Sequence, residues 1–451
     1  MIRQALLNAA LGAALSTATA LAAEAAGRIR PLADPYVVVY ESPDPATVFA
    51  YSPGLARLDS GRLIATMDQG GPGVAKLPGV RRDGQLWRGR IYSSDDHGVT
   101  WTFRADSPMV HARPFAAGRA VYVLGHAGDL TIMRSADEGT TWGAPVRLTA
   151  KQRWHQAPCN VWYARDRVYL VMERNTDPSV KGWAVSVLAP VVLSARVTDD
   201  LCRPDAWTFS SELSFRQALE KAGAPRLIGS PFFAPGPTVP LVTAVANLNP
   251  DRRSMAPIGW LETNLVQFAD PDHLWHDPSG HTFHLFLRAH TGSTNLACLA
   301  KAVEDPLSGR ITVDLEKAPS GEPLLYVPLP GGHLKFHLLY DDVSRLFWLL
   351  SSQSTDSMTR PERLPPERYN LPNNERQRLA LHFSKNALDW CFAGLVADSG
   401  APRQARNYAA MAIDGDDLQV LSRSGDARAL SAHDGNLITC HTVRGFRALA
   451  Y

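Results

Sequence analysis

Two segments of the chain repeat one pattern in register. They are Ser94-x-Asp96-x-Gly98-x-Thr100-Trp101 and, 41 residues later, Ser135-x-Asp137-x-Gly139-x-Thr141-Trp142. Each part has a physical task. The glycine allows the positive φ of a tight hairpin turn. The aspartate accepts hydrogen bonds from turn amides, as Asx residues do. The tryptophan packs beneath the turn. A third segment, Ser384-Lys385-Asn386-Ala387-Leu388-Asp389-Trp390, is one residue short and lacks the glycine. Self-similarity at this period signals a radially repeated all-β fold.

A second periodicity runs through the whole chain. Tight polar turns at 59–61, 117–118, 165–166, 277–280, 341–344 and 414–417 each separate two apolar runs, among them VYLVM, TFHLFL, LFWLL and LQVL. Such turns read as the hairpin between the first and second strands of successive propeller blades. The interval from 166 to 277 is about double the others, which leaves room for one unseen blade. Six hairpins plus that one give seven blades, with six as the alternative count. The run at 37–43 supplies an outer strand for the blade completed by 403–451. Sharing a blade between the two ends closes the ring and removes exposed edges. Residues 214–222 read as a short helix, and 360–378, rich in Pro, Arg and Glu, as a long loop insertion.

The first residues have a positive start at Arg3, an Ala/Leu-rich stretch and a small-x-small site at Ala20-Leu21-Ala22. This pattern predicts a signal peptide over 1–22 and a secreted or periplasmic propeller domain over 23–451. No later run is apolar enough to span a bilayer. Lys plus Arg total 46 and Asp plus Glu 44, a balance that gives no field for nucleic acid or an anionic membrane. The five cysteines are scattered and odd in number, so no disulfide framework is implied. The acidic and His-bearing stretch 270–277 falls at a hairpin and reads as turn and core chemistry. No metal and no cofactor is expected, and the chain is expected to be a monomer.

Propeller geometry sorts residues by face. Inner strands start on the face opposite the Asp-bearing turns and point alternate residues at the central channel. His111 and Arg113 open one inner strand, and His126 lies in the next loop of that blade. Arg153 and His155 open the following blade, with Glu173 and Arg174 after VYLVM. Glu262 and Asn264 come from GWLETN; Arg288 and His290 follow TFHLFL. His333, Lys335 and Arg376 belong to the next blade; Arg406, Tyr408 and Arg423 to the last. His126, His111 and His290 are the candidate acid–base groups, because imidazole exchanges protons near neutral pH. Arg153, Arg174, Arg288, Arg376 and Arg406 offer the planar fork that grips a carboxylate. His155, Asn264, Lys335 and Tyr408 complete the expected substrate-binding set.

The two turn motifs resemble the Asp boxes of sialidase-like β-propellers, and the resemblance covers nearly all of the chain after residue 22. It implies a glycan substrate, a tyrosine nucleophile with a carboxylate partner, and an aspartate acid. It also implies three arginines around the substrate carboxylate, the first in an Arg-Ile-Pro motif of the first blade. This chain has Tyr51-Ser52-Pro53-Gly54-Leu55 at that place, without the arginine. Asp68 stands near the position of the acid, and Tyr408 is the candidate nucleophile. The layout, with GWLETN and FLRAHTG, is similar to seven-bladed propellers that act on rhamnosyl-glucuronate caps of plant gums. That second resemblance implies a lyase or α-L-rhamnosidase relying on histidine. The expected function is therefore cleavage of a terminal sugar–uronic acid linkage in an anionic glycan, by β-elimination or hydrolysis. An exo-sialidase-type hydrolase and a non-catalytic glycan-binding propeller are the alternatives.

Overall fold

The computed structural model describes residues 29–78, 88–180, 183–223, 258–290, 295–355, 375–401 and 403–451. It also describes residues 359 and 363 and the backbone of 246–248 and 253–255. The expected signal peptide and most of the 360–378 loop lie outside the described residues.

Six antiparallel sheets form a ring. Their inner strands are Phe49–Arg57 in blade I and Val110–Ala117 in blade II. In blade III the inner edge is split into Trp154–His155 and Trp162–Ala164. Blades IV, V and VI begin with Gly259–Val266, His337–Asp341 and Arg406–Asp414. All six first hairpins fall where the sequence puts turns. Six blades, not seven, close the ring. The long interval after residue 166 holds no blade in its described part; it holds the helix Phe215–Ala222, capped by Ser214 and Gln217 in a reciprocal box, and a small hairpin, Ala246–Leu248 with Arg253–Met255. Blades III and IV touch directly across it: Asn160 in blade III donates to the Leu265 carbonyl in blade IV at 2.7 Å and accepts the Leu265 amide at 2.9 Å.

Val37–Glu41 pairs with Leu437–Val443 as the outer strand of blade VI, so the ring is closed by strands from both ends of the chain, as expected. The core confirms the count. Its six large hydrophobic clusters each span one pair of adjacent blades. Ile64 of blade I shares one with Val121 of blade II, for example, and Val39 of blade VI shares another with Leu63 of blade I. Burying one such side chain contributes about 1.5–3 kcal/mol, and a closed ring leaves no sheet face without a partner.

The Asp boxes sit between third and outer strands. In each, the aspartate accepts the Thr amide four residues on, at 2.8 Å in blade I and 2.9 Å in blade II. Each tryptophan returns its indole N–H to the turn glycine's carbonyl at 3.0 Å. All five cysteines are free thiols, and no described helix is long and apolar enough to cross a membrane.

Candidate functional site

Four of the six inner strands share one distortion near their starts. Ser52, His111, Glu262 and Tyr408 have φ values of 46°, 53°, 59° and 51°. Strand pairing slips at each of these points. Left-handed backbone at a non-glycine residue costs about 1–3 kcal/mol and persists only where the surroundings enforce it. Such a bulge re-aims a side chain. Here it turns three polar groups, His111, Glu262 and Tyr408, toward the channel from different blades.

Tyr408 is the hub of one half of the site. Its hydroxyl accepts a hydrogen bond from Arg288 Nη1 at 2.7 Å, and the same nitrogen reaches Glu262 Oε2 at 3.2 Å. Arg288 and Glu262 are each 1% exposed, so this ion pair is shielded from water. Three guanidiniums surround the tyrosine ring. The central carbons of Arg288, Arg376 and Arg423 lie 5.9, 5.5 and 5.2 Å from its centroid. Burial lifts the Tyr408 phenol to about 12, against the pull of Arg288. Burial and the neighbouring Arg423 push Arg376 down to about 9. Clustered, desolvated cations of this kind are costly without an anion between them.

Asp68 anchors the other half. Both its carboxylate oxygens lie 3.0 Å from the backbone amide of His111. Burial holds Asp68 well above the usual carboxylate range, although the His111 amide and Arg423 oppose the shift. Beside it, His111 Nδ1 is 3.0 Å from His126 Nε2. The His155 ring lies 5.0 Å from that of His111 and 6.2 Å from that of His126. Burial, then mutual repulsion among the rings, pushes His126 down to about 3 and His111 well below the histidine range. All three are neutral imidazoles at pH 7.

Arg423 bridges the halves. Its guanidinium packs on the Tyr51 ring at 4.1 Å and hydrogen-bonds the His433 carbonyl. The Tyr51 hydroxyl donates to Asp434 at 2.5 Å, and His433 Nδ1 is 2.7 Å from the same oxygen.

Of the expected site residues, the structure brings together His111, His126, His155, Arg288, Arg376 and Tyr408. His290 stands at the edge, stacked on Trp183 with ring centroids 5.6 Å apart. Arg153 is exposed. Lys335 is buried, gives its ammonium to the Ala409 carbonyl, and is pushed down to about 8 by burial. Three residues have other work. Asn264 ties blades together, donating to the Phe336 carbonyl at 3.2 Å and accepting the Leu338 amide at 3.1 Å. Arg174 pairs with Glu212 at 2.5 Å. Arg406 bonds the Ala405 and Gly425 carbonyls and packs on Tyr36. Glu262 and Arg423, outside the expected catalytic and binding set, are central. Their signal was their place near the start of an inner strand and near the end of a second strand.

Among the described residues no cluster of three or more His, Cys, Asp or Glu could hold a metal ion.

No family model matches the chain, and no curated protein matches it. Solved structures do. A Hadza microbial sialidase superposes with a TM-score of 0.51 at 12% identity, over 91% of this chain and 68% of that one. The α-L-arabinanase of Penicillium chrysogenum, solved with arabinobiose, gives 0.47 at 12%, over 92% and 99%. The Trypanosoma rangeli sialidase, solved with sialic acid, gives 0.47 at 12%, over 92% and 59%. The ring, its Asp boxes and the first of these likenesses define the fold as a sialidase-like β-propeller.

Proposed function

We propose that the chain is an exo-acting glycoside hydrolase that removes a carboxylate-bearing terminal sugar from a glycan. The observation that carries this reading is the Tyr408 hydroxyl, held between Arg288 and Glu262 and ringed by three arginines. The arginines would grip the substrate carboxylate through paired N–H groups. Glu262 would take the phenolic proton as the Tyr408 oxygen attacks the anomeric carbon. A phenol is neutral until that moment, so it approaches an anionic sugar without charge repulsion. Asp68, whose hold on a proton is strengthened by burial, would give its proton to the leaving oxygen. Water would then displace Tyr408 from the glycosyl intermediate, passing its proton to Asp68 while the phenol recovers its own from Glu262. Two displacements retain the anomeric configuration.

The His111–His126 contact at 3.0 Å favours a second reading. A histidine could abstract the proton beside a uronate carboxylate and begin β-elimination, with arginines stabilising the enolate. A base held near 3, as His126 is, is poorly matched to that task at neutral pH. Six blades also depart from the seven-bladed layout on which the lyase resemblance rests.

A panel of one sialoside and several uronate-capped oligosaccharides separates the two readings. Hydrolysis releases a reducing sugar with retained configuration, followed by NMR. Elimination leaves an unsaturated uronate that absorbs in the ultraviolet. Neither product from any member sinks the enzyme proposal and leaves a glycan-binding propeller. Export is part of the same proposal: a mature protein starting near Ala23, read by mass spectrometry of the secreted or periplasmic fraction, supports it.

A further inference from the structure

The third Asp-box segment departs from the other two in a way that frees a donor. The full boxes place two successive residues in the left-handed region, His97 and Gly98 in one, Glu138 and Gly139 in the other. The shortened turn in blade V places only Ala387 there, at φ 58°. Asn386 takes over the aspartate's work, accepting the Leu388 and Asp389 amides at 2.9 and 2.8 Å. With no glycine carbonyl to receive it, the buried Trp390 indole N–H has no hydrogen-bond partner among the described residues. Trp390 lines a groove of about 580 Å³ on the flank between blades IV and V. His382 lines the same groove, is 5% exposed, and has an Nδ1 without a partner among the described residues. Gln353, Asp389, Pro328 and Pro330 are among the other residues of its polar and apolar walls.

From these features we propose that the groove is a second glycan-binding site, one that takes the neutral part of a polysaccharide. An indole presents an apolar ring with a polar handle. A carboxylate and an amide at one site can receive and donate bonds to neighbouring hydroxyls, and proline carbons suit the C–H face of a sugar. Among the described residues no lysine or arginine lines the groove, in contrast to the arginine-ringed site, and this favours an uncharged ligand. It shares no residue with the channel site. The channel would hold the charged terminal sugar while the flank holds the uncharged chain that bears it.

Native electrophoresis of the full chain through gels containing neutral arabinan, galactan or β-glucan tests this. Retardation is expected in at least one polymer. Trp390→Ala and His382→Ala should migrate at least severalfold closer to the polymer-free position. Trp390→Phe keeps the apolar packing but removes the N–H, and should weaken retardation while circular dichroism stays unchanged. Tyr408→Phe should be retarded as strongly as the wild type, which separates this site from the proposed catalytic one. Free migration of the wild type in all three polymers overturns the proposal. So does wild-type retardation in both Trp390 variants, or loss of retardation in Tyr408→Phe.

Discussion

Arg423 carries its guanidinium carbon 4.1 Å above the ring of Tyr51. The resemblance to sialidases puts Tyr51 where their first-blade pattern has an arginine. A cation from the second strand of blade VI, Asp417–Ser424, thus packs on that tyrosine. If the positive charge is what the site needs, its source is interchangeable. Arg423→Leu should raise KM for a carboxylate-bearing substrate by about 30-fold, the equivalent of about 2 kcal/mol for a charged hydrogen bond. It should change KM for the reduced, alcohol-bearing analogue far less. Equal losses on both substrates would show that Arg423 only supports the Tyr51 ring. Steady-state kinetics on the matched pair decide.

Tyr408→Phe removes one oxygen from a hub that is otherwise held by packing. Arg288 keeps Glu262 at 3.2 Å and the His333 carbonyl at 2.9 Å, so the fold should survive with little change in Tm. Turnover should fall by at least about 10²-fold if the phenol is the nucleophile. Mass spectrometry of wild type quenched with a fluorinated, slowly released substrate should find the sugar on the peptide containing Tyr408. A phenylalanine variant with unaltered kcat removes the hydrolase proposal.

Asp68 offers a separate reading of the acid step. Asp68→Asn keeps the acceptor for the His111 amide yet cannot donate an acidic proton. Substrates with a poor leaving group should lose about 10²–10⁴-fold in kcat. Aryl glycosides that leave without protonation should lose little. The alkaline limb of the pH–rate profile should also vanish, because it reports loss of this proton. Uniform loss across leaving groups would instead assign Asp68 to holding the His111 bulge.

The strand plan was legible in the sequence because it is written locally. Each first hairpin carries its own turn residues, and Gly98 and Gly139 mark backbone that side chains resist. The blade count was harder. A doubled interval looks the same whether it holds a blade or an insertion such as the Phe215–Ala222 helix. The site was legible by strand position but not by side-chain direction. Arg406 and Tyr408 are two residues apart, and regular alternation puts both on one face. The left-handed bulge at Tyr408 breaks that alternation. It sends the tyrosine to Arg288 and leaves Arg406 against Tyr36. The Arg423–Tyr51 contact joins positions 372 residues apart, and nothing local announces it.

Glu173 supplies a test in stability. It is fully buried; Thr263 donates to one of its oxygens from the amide at 3.1 Å and the hydroxyl at 2.7 Å, and the other oxygen has no partner among the described residues. Burial lifts it from 4.5 to about 8, with the Thr263 bonds opposing. Below pH 4.5 both folded and unfolded chains hold this proton, and the group has no effect on stability. Between 4.5 and about 8 the unfolded chain releases it while the folded chain keeps it. The unfolded state then binds fewer protons, so stability falls as pH rises through that window. Above it both states are ionised and the loss is complete. Glu173→Gln keeps an oxygen for Thr263 and cannot ionise. Its Tm should match the wild type near pH 4.5 and exceed it increasingly toward pH 8. Taking the difference between the two proteins cancels the contribution of Asp68, whose buried carboxyl acts in the same direction. Parallel curves would mean that Glu173 is ionised throughout and that its attraction to the nearby Arg113 outweighs the cost of burial.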